Sequence, residues 1–243
     1  MKSFLLAIQF LTVIPLRIKK ISEQNLAKAT LYFPLAGLLI GLVLSEINLG
    51  LFILNLPSFT VSIILIVSLI GLTGGMHLDG LSDSADAFFS GKPKEEMLRV
   101  MRDPHIGVMG VLSIICVILL KVSLLESVSA PEKAGALLLM CVLSRWSAVL
   151  AMFLFPYARQ EGKAGVFIRG MTLKIFLISL ISAVIFSFII WQVKGMILLI
   201  IVSGCAYLAG RFTSKKIGGI TGDTLGATIE LTEIVTLAIF CIL

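Results

Sequence analysis

The chain has 243 residues, 58% of them hydrophobic and 14% charged, with a mean hydropathy of +1.07. Such values lie far from those of a soluble globular domain and indicate a polytopic membrane protein. The formal charge of +6 is not that of a nucleic-acid binder: of 20 Lys and Arg, 15 fall in the segments 17–28, 79–105, 157–174 and 211–224, which alternate with poorly charged connections near 53–57, 126–133 and 194. By the positive-inside rule the basic set is cytoplasmic.

In chain order, the first apolar stretch, Phe4–Leu16, is short and ends in Pro15, followed by Arg17, Lys19 and Lys20. Basic residues after the apolar run, and no small-residue cleavage site, argue against a removable signal. The length suits a helix lying at the interface or re-entering the membrane. Further apolar runs cover about 30–52, 58–78, 106–125, 134–156, 174–193, 195–212 and 224–243, against a need of roughly 20 residues per crossing. The expected fold is an all-α, polytopic integral membrane helix bundle with about seven transmembrane helices plus the short N-terminal one. It forms a single integral membrane domain over 1–243, with no linker, low-complexity tract or convincing repeat. Cys116, Cys141, Cys205 and Cys241 lie well separated inside apolar runs and read as packing residues. Every motif below emerges on the basic side, as an active site requires, while the other connections are short and nearly featureless.

The stretch His77-Leu-Asp79-Gly80-Leu-Ser-Asp83-Ser-Ala-Asp86 follows directly on an apolar run. On a helix, Asp83 is offset about 40° from Asp79 and Asp86 about 20° the other way, so the three carboxylates share a face. Like charges on one stripe at the edge of hydrocarbon are costly unless something positive neutralises them. Mg²⁺ or Mn²⁺ would do so, because hard cations take carboxylate oxygens and leave positions for substrate phosphates. A solvated helix start whose acids complement the dipole accounts for Asp79 but not for the i, i+4, i+7 repeat. Gly74 and Gly75 ahead of the cluster and Gly80 within it allow a sharp change of direction and close backbone approach.

Next comes Met101-Arg102-Asp103-Pro104-His105-Ile106-Gly107. Pro104 fits the first turn of the following helix, with Asp103 as its N-cap. That helix N-terminus, with Arg102 and His105, would hold a phosphate, although plain capping explains the same residues. His105 is a candidate acid or base; a lone His is more often a hydrogen-bonding residue. Arg145 lies inside a predicted span, where a guanidinium usually meets a carboxylate or phosphate. The segment Tyr157 to Arg169 adds Arg159, Lys163 and Arg169, cations that a positive-inside anchor explains almost as well. Finally, the glycine-rich turn Gly218-Gly219-Ile220-Thr221-Gly222 delivers Asp223 at a helix start. Glu230, seven residues on, returns to the same face, and Glu233 lies some 80° round from Asp223. A polar helix–helix seam is the bland alternative.

Together these residues resemble the cobalamin-5′-phosphate synthase family, also called adenosylcobinamide-GDP ribazoletransferases. The match runs through Ala7-Ile-Gln-Phe10-Leu-Thr-Val-Ile-Pro-Leu16 with Phe33-Pro34-Leu-Ala-Gly37, then Gly75 to Asp86, Met101 to Gly107, and Gly219 to Ala227 with Glu230. It spans nearly the whole chain, without departure at the acidic positions. The resemblance implies Mg²⁺-dependent transfer of adenosylcobinamide phosphate from adenosylcobinamide-GDP to α-ribazole or its 5′-phosphate, with release of GMP. It implies catalytic roles for Asp79, Asp83, Asp86 and His105, and a metal held by Asp79, Asp83, Asp86 and Asp223. Substrate contacts are expected from Arg102, Asp103 and Arg145, and from Thr221, Gly222, Asp223 and Glu230. The sequence leaves open which acid, or His105, takes the proton from the ribose hydroxyl.

The expected location is a prokaryotic cytoplasmic (inner) membrane with the site facing the cytoplasm. Expected partners beyond the substrates are membrane lipid and either further copies of the chain or other cobalamin-assembly enzymes, with no nucleic acid. The nearest rival is a CDP-alcohol phosphotransferase of lipid synthesis, yet the alanine-arginine pair and longer spacing of that class are missing after Asp79-Gly80. A transporter is the rival from another class. Acids gathered at one face, rather than at mid-membrane in paired broken helices, count against it.

Overall fold

The computed structural model describes residues 2–16, 18 and 21–243, with Lys163 described in its backbone alone. Arg17, Lys19 and Lys20, counted above in the first basic segment, lie outside the described residues. The described chain is helical apart from its connections and one isolated bridge between Tyr157 and Ile220.

Helix α1 (Lys2–Leu11) has 10 residues and buries Leu6, Ala7, Ile8 and Leu11. At about 1.5 Å per residue it is far too short to cross a membrane, as its sequence predicts. Helix α2 (Glu23–Ala29) starts at Ser22, whose Oγ accepts from Asn25 N at 3.2 Å, and runs through a 3₁₀ turn (Thr30–Tyr32) into α3 (Phe33–Ile53). Helix α4 (Ser58–Thr73) ends where Gly74 and Gly75 take φ of 65° and 67°, a left-handed pair that only glycine adopts cheaply. The chain then turns by 89° into α5 (Met76–Phe89). This corrects one expectation: the apolar run 58–78 is not a single straight helix. Helix α4 is the crossing limb, and α5, with three aspartates in 14 residues, runs off across the end of the bundle.

Helices α6 (Lys94–Val100), α7 (Val108–Ser127), α8 (Lys133–Leu154), α9 (Lys163–Arg169), α10 (Leu173–Ile217) and α11 (Gly222–Ile242) follow. Among the described residues five helical stretches are long and apolar enough to span: Glu23–Ile53, α7, α8, α10 and α11, with α4 joined to the bent α5 as a sixth. Straight, the 45 residues of α10 would reach about 68 Å, more than twice the ~30 Å hydrocarbon core. They do not stay straight. Trp191 and Gln192 leave the helical region, and Gly195 comes so near Ser187 that a Cβ there would fall 2.0 Å from the Ser187 carbonyl oxygen. The helix therefore doubles back as limbs 173–190 and 193–217. Each limb corresponds to one of the two apolar runs read from the sequence, 174–193 and 195–212.

Helix α8 is the hub, buried almost continuously from Ala136 to Met152. Gly37 and Gly41 of α3 lie flat against it: added Cβ atoms would fall 2.3 Å from Cys141 O and 2.8 Å from Leu138 Cα. Small residues four apart are what permit helices to pack this closely in lipid. Helix α11 carries its hydroxyls into the core without cost, because Thr228, Thr232 and Thr236 each donate to the carbonyl four residues back at 2.8 Å.

Candidate active site

Helices α5 and α11 cross with their backbones touching. A Cβ on Gly80 would fall 2.7 Å from Asp223 O and 2.9 Å from Asp223 Cα, and one on Gly226 3.1 Å from His77 O. The crossing sets the acids of α5 beside Asp223 in the first turn of α11. Thr221 fixes that turn: its Oγ1 accepts from Thr224 N at 3.2 Å, while its own N–H donates to Thr224 Oγ1 at 2.9 Å. This reciprocal cap satisfies the free amides of the helix start. Thr221 Oγ1 also lies 3.3 Å from Asp223 Oδ2, and Gly222 opens the helix.

A second strand of chain reaches the same place. Ile220 N donates to Pro156 O at 2.8 Å and Ala158 N to Ile220 O at 2.9 Å, tying the end of α8 to the turn before α11. The tie carries Arg159 Nη2 to 2.8 Å from Asp223 Oδ2. Sequence reasoning left Arg159 among anonymous loop cations; nothing in its spacing marked it.

Two cavities meet at Asp79. One, of about 350 Å³, is lined by Phe10, Phe33, His77, Asp79, Phe167 and Asp223 among others and is mostly apolar. The other, about 290 Å³, is lined by Asp79, Ser82, Asp83, Arg102, Asp103 and His105. Arg102 in turn lines a third, about 390 Å³, with Arg99 and Arg159. A larger cavity, about 740 Å³, lies apart between α1, α2, α9 and the start of α10 and touches none of these aspartates.

Asp86 has a role the sequence did not suggest. Its Oδ2 accepts from Gly107 N at 2.7 Å and its Oδ1 from Gly110 N at 2.8 Å, so it caps α7 from across the site. Any Cβ on Gly107 or Gly110 would fall 2.4 Å from this carboxylate, which is why the helix start is glycine. Two expectations are corrected here. Helix α7 begins at Val108 with Gly107 as its N-cap, not at Pro104 with Asp103. The helix N-terminus does hold an anion, but that anion is Asp86. Asp103 instead closes a local turn, accepting from His105 N at 3.0 Å and pairing with His105 Nδ1 at 2.7 Å. Those contacts hold its carboxyl below the ordinary range, the backbone hydrogen bond first. The His105 side chain is 89% exposed.

Burial, then the carboxylates of Asp79, Asp223 and Asp86, push Asp83 up to about 7. Four acids thus gather near Arg159, with Arg102 on the cavity of Asp79 and Asp83, and carboxylate oxygens so crowded are the donors a hard divalent cation takes. The spacing is looser than the chemistry. Asp79 and Asp86 stand ~10 Å apart along their helix, and among the described residues no three Asp, Glu, His or Cys side chains form a metal-holding group.

Arg145 and Glu230 lie deeper. Glu230 Oε2 is 2.6 Å from Lys121 Nζ; Glu233 pairs with both Lys121 and Arg145; and Arg145 Nη1 donates to Ser144 Oγ at 2.8 Å. All four charged groups are buried. Lys121 was the missing partner: in the sequence it is a solitary base in an apolar run. His77, also buried and with Nε2 lacking a partner, lies between this network and the apolar cavity.

Known proteins resemble this chain over its whole length. A family model described as cobalamin-5-phosphate synthase matches residues 3–241. A protein of Desulforamulus reducens named adenosylcobinamide-GDP ribazoletransferase is 35% identical over 99% of this chain and 96% of its own length. One of the same name from Caldanaerobacter subterraneus subsp. tengcongensis is 35% identical over 100% and 99%. One from Acetivibrio thermocellus is 37% identical over 99% and 97%. No solved structure matches.

Proposed function

The chain belongs to the cobalamin-5-phosphate synthase family, and we propose that the acids gathered where α5 crosses α11 carry out its reaction at the cytoplasmic face of the membrane. It is an adenosylcobinamide-GDP ribazoletransferase, an enzyme of late cobalamin synthesis. The observation that supports our placement of the chemistry is the position of Asp79, on the wall shared by the apolar cavity and the Asp83–Arg102–His105 cavity.

In this reading a ribose hydroxyl of α-ribazole, or of its 5′-phosphate, attacks the phosphorus that carries cobinamide in adenosylcobinamide-GDP. The bond from that phosphorus to the bridging diphosphate oxygen breaks, and GMP leaves with the electron pair. Asp79 accepts the hydroxyl proton, being the acid that faces both the acceptor's cavity and the donor's. Arg102 and Arg159 face the diphosphate, where their fixed positive charge offsets what develops on the leaving phosphate. Asp83 and Asp223, with lone pairs of Asp86 not spent on α7, would hold Mg²⁺ or Mn²⁺, which when bound neutralises diphosphate oxygens. Asp86 and Asp103 position the 101–107 loop, and Arg145 and Glu230 support the bundle beneath.

The test is incubation of the purified protein with adenosylcobinamide-GDP, α-ribazole phosphate and Mg²⁺, with GMP followed by chromatography. Release of GMP that needs both substrates and stops in chelator is the expected result. Activity with CMP-linked lipid donors alone would replace this reading with the lipid-synthesis one. Near-normal turnover of Asp83→Asn at saturating Mg²⁺ would remove that residue from the metal site.

A further inference from the structure

Two of the motifs that carry the family resemblance contain no charged side chain: Ala7 to Leu16 and Phe33 to Gly37. The fold brings one aromatic ring from each to a single point. Phe10 stacks near Phe33 with ring centres 6.0 Å apart, and Phe167 of α9 completes the group at 4.6 Å from Phe10 and 6.1 Å from Phe33. All three rings line the 350 Å³ cavity whose other wall carries Asp79 and Asp223. Phe33 and Phe167 are almost fully buried, so they form a fixed back wall and not a flexible rim.

We infer that this cavity receives the base of the nucleoside acceptor, and that Phe10, Phe33 and Phe167 select a planar, apolar, bicyclic base over a polar one. The inference rests on the transfer reaction proposed above. Three features of the cavity support it. Its volume is at the small end of ligand sites, which run from ~300 to ~1,000 Å³; one nucleoside fits and a corrin macrocycle does not. Its apolar lining beyond the rings includes Leu11, Met76, Ala148, Met152, Leu225 and Ile229, and its polar side chains are His77, Asp79 and Asp223. Against the rings and the apolar side chains, guanine amide and amino groups out of reach of His77, Asp79 and Asp223 would be left without partners, at a cost of about 1–3 kcal/mol per group. A flat apolar base loses nothing there and stacks on aromatic rings. Finally, a base seated against the rings directs its ribose toward Asp79 and Asp223, the polar side of the same cavity, where the hydroxyl must arrive to react.

The test is steady-state kinetics on protein in liposomes, comparing α-ribazole with a nucleoside of the same linkage that carries a purine. Phe167→Ala should raise the KM for α-ribazole about 10- to 100-fold. It should also shrink the preference for α-ribazole over the purine nucleoside, with the KM for adenosylcobinamide-GDP within about twofold. Because a buried ring is removed, a second variant works in the opposite sense. Ala164→Phe, on the same wall, adds bulk and should raise the KM for α-ribazole at least tenfold while leaving donor KM alone. An unchanged acceptor KM and base preference in both folded variants would overturn the assignment, as would an effect confined to the donor. Wild-type protein that releases no GMP with any acceptor would instead sink the transfer reaction itself.

Discussion

Two clusters of charge occupy this bundle, and they are built on opposite plans. In the interior, Lys121 and Arg145 face Glu230 and Glu233, two against two, and each carboxylate has a cation in contact. At the end of the bundle, Asp79, Asp83, Asp86 and Asp223 share Arg159 and Arg102, and among the described residues the one ion pair between them is Arg159 with Asp223. In the interior a charge persists only when something balances it, whereas Asp79 is exposed and Asp83, Asp86 and Asp223 are only partly buried. The balanced cluster is complete as it stands and serves the fold. The other carries an excess of negative charge, which in the reading proposed above the cation and the diphosphate site would take up.

The sharpest way to break this contrast is to neutralise one acid from each cluster or its partner and ask what fails. Asp79→Asn should lower kcat by ~10²- to 10⁴-fold, the usual worth of a general base, while the thermal midpoint in detergent holds steady. A retained kcat would mean that proton transfer happens elsewhere. Lys121→Met should do the reverse. Leaving two buried carboxylates on one guanidinium costs about 3–5 kcal/mol, to be read as lost folded yield and a lower midpoint. The added change Glu230→Gln should restore much of it, since a neutral Arg145–Glu233 pair remains. If the double variant is no better than the single, the network is not held together by charge balance.

Smaller effects sharpen the comparison. Gly80→Ala forces a methyl against the Asp223 backbone and should cost about 1–3 kcal/mol by overpacking, with activity falling as α5 and α11 part. The smallest effect expected is on pH dependence without divalent cation. Asp83 keeps its proton in the folded protein up to about pH 7, from an ordinary value of 3.8. Between those values the folded state binds more protons than the unfolded one, so stability should fall as pH rises through that window and level off above it. Asp83→Asn should reduce the slope in a thermal-shift series, leaving the part due to Asp223, a partly buried carboxyl of the same site, and added Mg²⁺ should flatten it.

Much of this arrangement was readable from the amino acids. Hydrophobic run lengths located most of the crossing helices, including the two limbs of α10, and Gly74-Gly75 allowed for the sharp bend before α5 although the run 58–78 read as one span. What escaped was depth and rotation. Glu230 does share a helical face with Asp223, but seven residues also carry it ~10 Å along the axis, into the layer where Lys121 waits. Periodicity reports direction around a helix and is silent about which neighbour lies at each level. For the same reason Asp86, on the same stripe as Asp79, met the start of α7 instead of open space. Pro104 misled for a different reason: it suits a helix entry anywhere, and here the chain spends three more residues turning before Gly107 can reach its carboxylate.

The contact of Gly80 with the Asp223 backbone leaves the acids on a joint where main chain meets main chain. Distances between α5 and α11 are set by main-chain atoms, not by rotamers, so the jaw that bears the acids has no slack with which to close on a substrate. Whatever yields to admit a cargo as broad as a corrinoid must be sought in the two connections that flank this joint, 101–107 and 156–162, each fastened by a handful of hydrogen bonds.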